Sequence, residues 1–205
     1  MMIGALWSLL LGGSQALAGY NPGDVYLASS SGDFDIYDVS AGGDVSKSVI
    51  AQSGSYSAGQ LAWSIDLSVM YLGMYSTNEV IQIDSSGTVS TFAIGLSGPT
   101  GLIMLSDGTL LVAEYNSGEI TDITAGGNFV LVTAMTSGFN GPRSFAELHD
   151  GTVLIGTQED GKVWEFDPST HATSSFATGL GSVRTIVQDP GTWDRAIASK
   201  MLWSS

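Results

Sequence analysis

The side chains able to do chemistry are few among these 205 residues, so their spacing carries weight. There is no cysteine, which excludes disulfides, thiolate metal sites and a cysteine nucleophile. His149 and His171 are the only histidines available as a general base or an imidazole ligand. Six Lys and Arg face twenty Asp and Glu, giving a net charge of -14. Two of those six, Arg143 and Arg184, stand about 40 residues apart. Two converging guanidinium forks could clamp a carboxylate or other anion bidentately. They could equally pair with Glu114, Glu159 or Asp160 and close a structural network. Glu114 stands beside Tyr115 and Asn116. A carboxylate there could bind a metal or take a proton, or serve only as an Arg143 partner or an exposed strand end. The acid excess argues against nucleic acid or an anionic membrane as partner.

The elements that must position these residues are written in a repeat. Leu111-Val112-Ala113-Glu114-Tyr115-Asn116-Ser117-Gly118-Glu119-Ile120 has a counterpart at Tyr71-Leu72-Gly73-Met74-Tyr75-Ser76-Thr77-Asn78-Glu79-Val80. Another begins at Leu154-Ile155-Gly156-Thr157, and a looser one at Val25-Tyr26-Leu27-Ala28. Periods of about 40–45 residues with four strands each are characteristic of propeller blades. In the third copy, an inner strand at Gly101–Leu105 turns at Ser106-Asp107-Gly108 into a second strand, Thr109 to Glu114. A third strand, Glu119 to Thr124, leads through Ala125-Gly126-Gly127-Asn128 to a fourth, Phe129 to Thr133. Asp-Gly and Gly-Gly supply the positive φ that tight hairpins need. Ala28, Gly73, Ala113 and Gly156 recur in second strands, where small side chains would let neighbouring blades approach or would merely weaken the strand.

The expected fold is therefore all-β, a β-propeller of four-stranded antiparallel blades with about four blades present. Blades are placed roughly at 24–54, 57–97, 98–139 and 141–181, with a partial fifth at 182–205. The first copy lacks an inner strand, and Val183 to Val187 could supply it, closing a four-bladed ring. Alternatively, Ala196 to Ser199 reads as the second strand of a fifth copy, which makes the chain part of a six-bladed arc or one completed by self-association. Residues 1–18 read as a signal peptide, with an apolar run from Ile3 to Leu11 and small residues at Ala16-Leu17-Ala18. Residues 19–205 then form the propeller, expected to be secreted or periplasmic, with no run long enough to span a membrane.

Gly98-Pro99-Thr100-Gly101-Leu102, then Ser106-Asp107-Gly108-Thr109-Leu110-Leu111-Val112-Ala113-Glu114 and Gly118-Glu119-Ile120, carry a family likeness. This block resembles an NHL-type repeat and is similar to the blades of SMP-30/gluconolactonase-like and virginiamycin B lyase-like propellers. Likeness to the lactonases implies a divalent metal held by Glu, Asn and Asp at inner-strand starts. The matching positions here read Gly59, Thr100, Arg143 and Arg184, none a carboxylate or carboxamide. Likeness to the lyases implies a histidine base on the same face, whereas His149 and His171 fall in turns at the other end of the blades. The residues left as ligand-binding candidates are Thr100, Glu114, Asn116, Arg143 and Arg184, around the inner-strand starts and the turns after second strands. The expected function is a binding or interaction propeller taking a small molecule, protein or peptide on that face. The alternative is a lactonase or streptogramin-lyase-like enzyme whose site is incomplete in this chain. Trp63, Trp164, Phe92, Phe129 and Phe176 could stack on sugars, but the recurrence of Phe in fourth strands favours inter-blade packing.

Overall fold

A computed structural model describes residues 26–29, 33–38, 52–53, 60–86, 88–126, 134–188 and 196–200. The proposed signal peptide, Gly59, Phe129 and the apolar Met201–Trp203 stretch lie outside them. Every element described is a strand. The first sheet holds β1 (Tyr26–Ser29), β2 (Asp33–Asp38) and β3 (Gln52–Ser53). The second holds β4 (Ala62–Trp63), β5 (Val69–Met74), β6 (Glu79–Asp84) and β7 (Val89–Ile94) in that order. The third runs from β8 (Pro99–Met104) through β9 (Leu110–Glu114) and β10 (Glu119–Asp122) to β11 (Ala134–Ser137). The fourth runs from β12 (Pro142–Glu147) through β13 (Val153–Thr157) and β14 (Lys162–Asp167) to β15 (Ala172–Ala177). Last come β16 (Val183–Gln188) and β17 (Ala196–Lys200). All pairings are antiparallel between consecutive strands, the meander of a propeller blade.

One expectation is corrected. β16 does not complete the first sheet; it pairs with β17, with Ile186 opposite Ala198, and so opens a fifth blade. The closed four-bladed ring therefore gives way to a fifth repeat, because the hairpin partner nearest in sequence takes the strand's hydrogen bonds. In the third blade β11 pairs with β10, Glu119 standing opposite Ser137, while the expected fourth strand at Phe129–Thr133 lies outside the described residues.

The cores lie between blades, which explains why β9 and β13 are buried at every position. Side chains alternate across a strand. Leu110 and Val112 thus join Ala62, Val80 and Leu102 in the layer between blades two and three. Leu111 and Ala113 point the other way, meeting Phe145, Val153, Ile155 and Phe166 between blades three and four. Leu154 and Val163 meet Val183 and Ile186 of the fifth blade. The recurring small residues belong to this scheme. A Cβ on Gly73 would lie 3.0 Å from the Pro99 carbonyl oxygen, and one on Gly156 would lie 2.7 Å from Val183 Cγ1. Close approach of the next blade is thus the reason for these two glycines.

The turns at one end of the blades are built by aspartates. Asp107 and Asp150, between first and second strands, accept the backbone N–H two residues on, from Thr109 and Thr152. Asp84, Asp122 and Asp167, between third and fourth strands, accept those of Ser86, Thr124 and Ser169. Asp66 accepts from the Ser68 N–H and the hydroxyls of Ser64 and Ser68, which hold its pKa down to about 2. Hydroxyl donation from Ser169 and Thr170 does the same for Asp167. These are Asx turns, in which a carboxylate stands in for a backbone carbonyl.

Candidate functional site

The opposite end combines the starts of β8, β12 and β16 with the turns that follow β5, β9 and β13. At each inner-strand start the ladder slips by one residue. The shift falls between Pro142 and Ser144 in β12 and between Val183 and Thr185 in β16. Arg143 and Arg184 are thus the extra residues of two equivalent β-bulges, a device that re-aims a side chain out of its strand's alternation. Their blades pack directly against one another, β12 on β16. The pair is close enough for the charge of Arg184, after burial, to lower the pKa of Arg143. Tyr115, Tyr75 and Glu159 act on Arg143 in the opposite sense, which places all of them around the same group. The Arg184 Nε is buried with no hydrogen-bond partner, and so is Gln158 Oε1.

A side-chain ladder crosses this end from blade to blade. The residue after the second strand donates to the next residue but one of the following blade's turn: Tyr75 Oη to Asn116 Oδ1 at 2.8 Å, and Tyr115 Oη to a carboxylate oxygen of Glu159. Gln158, the equivalent residue of blade four, donates from Nε2 to Tyr115 Oη at 3.3 Å and to Glu159 Oε1 at 3.2 Å. The rings of Tyr75 and Tyr115 meet edge to face, centroids 6.0 Å apart. Burial, the bond to Glu159 and the negative charge of that carboxylate push the Tyr115 phenol up to about 12, so it stays a donor. The ladder crosses directly over the glycine of the Gly-Pro pair. Gly98 and Gly141 both have positive φ, and a Cβ on either would strike it: Asn116 Nδ2 at 2.5 Å, or Glu159 Cγ at 2.9 Å.

The remaining candidates land differently. Thr100, the counterpart of Arg143, is fully buried and donates to the Pro142 carbonyl at 3.0 Å, tying blade three to blade four. Glu114 is buried, 6% exposed, with one oxygen accepting the Ser97 N–H at 2.6 Å and the other the Thr121 hydroxyl at 2.5 Å. It is therefore neither an exposed strand end nor, by these bonds, reserved for Arg143. Burial pushes its pKa up, against the two hydrogen bonds that lower it. Asp160 is taken by the Thr157 hydroxyl and by Lys162 Nζ at 3.0 Å. Of the three carboxylates considered as arginine partners, Glu159 is the one whose charge acts on Arg143. Asn116 is exposed and sits within the ladder.

Gln60 carries no motif and was invisible to the repeat. Its amide forms a two-point bridge to the inner strand of blade four, Nε2 donating to Phe145 O at 3.0 Å and Oε1 accepting from Phe145 N at 2.8 Å. This places a blade-two side chain on the inner edge of β12, two residues from Arg143. His149 and His171 are exposed in the aspartate-rich turns, at the end away from the arginines. Among the aromatic residues, Phe92 packs on Tyr71 at 4.8 Å, but Phe176 is 56% exposed. The inter-blade packing expected of Phe176 therefore fails.

The divalent cation implied by the lactonase likeness does not fit these residues. Thr100 uses its hydroxyl internally, two positions are cations, and among the described residues no three His, Asp or Glu side chains cluster.

No protein-family model and no curated protein matches the chain. Solved structures do. The selenomethionine form of virginiamycin B lyase from Staphylococcus aureus superposes with TM-score 0.65 at 16% identity, over 85% of this chain and 59% of that one. Nidogen, from its complex with laminin, gives 0.65 at 15%, over 83% and 68%. PQQ-bound aldose sugar dehydrogenase from Streptomyces coelicolor gives 0.66 at 14%, over 80% and 66%. This chain spans 44% of a streptogramin B lyase and 58–59% of the virginiamycin B lyases. Identities this low speak to fold alone, and the fold they share with this chain is the β-propeller.

Proposed function

We propose that this chain is an exported binding propeller whose ligand sits at the end carrying Arg143 and Arg184, on the floor formed by the Tyr75, Asn116, Tyr115 and Glu159 ladder. The observation that supports this most is the convergence of two scarce cations at equivalent bulges of adjacent blades. Holding like charges together is unfavourable by itself, and sites that accept it are commonly functional. The opposite end offers short aspartate turns already satisfied by their own backbone.

A thermal-shift panel of sugars, amino acids and small organic acids tests the placement, because a ligand of the native state raises the melting temperature. Asn116→Trp fills the proposed floor and should remove the shift, whereas His149→Ala at the far end should leave it. The reverse pattern overturns the assignment. Export predicts recovery outside the cytoplasm with Gly19 at the N-terminus; a cytoplasmic protein that keeps Met1 refutes it.

A second reading is an enzyme of lactonase or lyase type. It is supported by the short span of this chain on the lyase structures, which leaves room for a site completed by further blades. It predicts stabilisation by Mg²⁺, Ca²⁺, Mn²⁺ or Zn²⁺ together with lactone or streptogramin turnover by the full-length gene product. Failure of both excludes it.

A further inference from the structure

We infer that the ligand is a small organic monocarboxylate, gripped between the guanidinium groups of Arg143 and Arg184 with its body against the rings of Tyr75 and Tyr115. This rests on the binding face assigned above and adds the chemistry of what binds there.

Four observations carry it. The two arginines are the extra residues of equivalent bulges on neighbouring inner strands that pack against one another. The Arg184 Nε is buried without a hydrogen-bond partner, an arrangement that costs free energy until an acceptor arrives. Carboxylate is the planar, two-oxygen acceptor that a guanidinium fork matches. Charge then selects among oxyanions. Arg143, Arg184 and the nearby carboxylate of Glu159 sum to one positive charge, which a monoanion balances and a phosphate dianion overshoots. The paired Tyr75 and Tyr115 rings, both near Arg143, supply aromatic surface beside it, favouring an organic acid over an inorganic ion.

The neighbouring groups set the rest of the geometry. The Tyr115 hydroxyl is committed to Glu159, and Gln158 Nε2 donates to both. Glu159 therefore already has two donors, the Tyr115 hydroxyl and Gln158 Nε2.

Isothermal titration of the whole chain with benzoate, acetate, benzamide and inorganic phosphate tests the proposal. Benzoate is expected to bind more tightly than acetate, and benzamide and phosphate not measurably. Arg143→Gln and Arg184→Gln should each weaken benzoate roughly tenfold or more, as loss of one partner of a charged bond does. Arg184→Lys, which keeps the charge and loses the fork, should also weaken it, and it guards against a variant that fails to fold. In the unaltered protein, benzoate should slow phenylglyoxal modification of Arg143 and Arg184, read by peptide mass. Benzoate binding that survives both Gln variants, or phosphate binding without benzoate binding, overturns the carboxylate assignment. A neutral ligand lost in Asn116→Trp but kept in the arginine variants leaves the face in place and removes the clamp. Absence of benzoate binding and of any panel hit removes both.

Discussion

Glu114 shows how a single side chain can read as chemistry and fold as architecture. The sequence puts a carboxylate at the end of an apolar strand, next to Tyr115 and Asn116, which is where a base or ligand would stand. The structure turns it inward, onto the Ser97 N–H and the Thr121 hydroxyl. Nothing in the local pattern tells these apart, because the partners come from the loop before β8 and from β10. Its raised pKa makes a signed prediction. A carboxyl whose folded pKa exceeds its unfolded one contributes fully below the unfolded value and loses that contribution as pH rises through the folded value. Glu114→Gln, which mimics the protonated form, should gain stability relative to the parent as pH rises above about 4.5. Parallel urea curves for the two proteins at pH 4 and pH 7 would contradict this. Glu114→Ala should cost about 1–3 kcal/mol, since it strands two buried donors.

At the scale of strands and turns, the sequence was most informative where one residue type has one physical job. Asp-Gly marked the hairpins, and Gly98 and Gly141 marked the inner-strand starts. Second-strand glycines were ambiguous because their purpose lies in the following blade. Gly156 is the sharpest case, with Val183 Cγ1 and Ser144 Oγ each 2.7 Å from where a Cβ would be. Gly156→Ala should therefore destabilise by about 1–3 kcal/mol, the usual range for overpacking. Ala113 holds the corresponding place in blade three, so the penalty belongs to the blade-five contact rather than to alanine in a strand. An unchanged denaturation midpoint would mean that β16 yields to the added methyl.

For the whole molecule, the two ends differ in electrical character. Aspartates of the turns line one end, while two of the six basic residues gather at the other. The sequence revealed both sets, but not that Gln60 bridges to Phe145 on the inner side, which no repeat position encodes. It also left open where Val183–Val187 belonged, because an inner strand looks the same whether it closes a ring or opens a new blade. Its pairing with β17 and its packing on β12 and β13 decide the matter. Val183 and Ile186 are 1% and 2% exposed and cover Ala146, Leu154 and Val163 of blade four. Repeat arrays are held by such neighbour interfaces, so losing one should weaken chiefly the blade beside it. Deleting residues 183–205 removes both side chains, each worth about 1.5–3 kcal/mol when buried. Hydrogen exchange should then show β13 and β14 losing protection well before β9 and β10, with a lower urea midpoint. Uniform loss across all blades would instead mean that the fifth blade braces the entire array, and no loss would mean that blade four is complete without it.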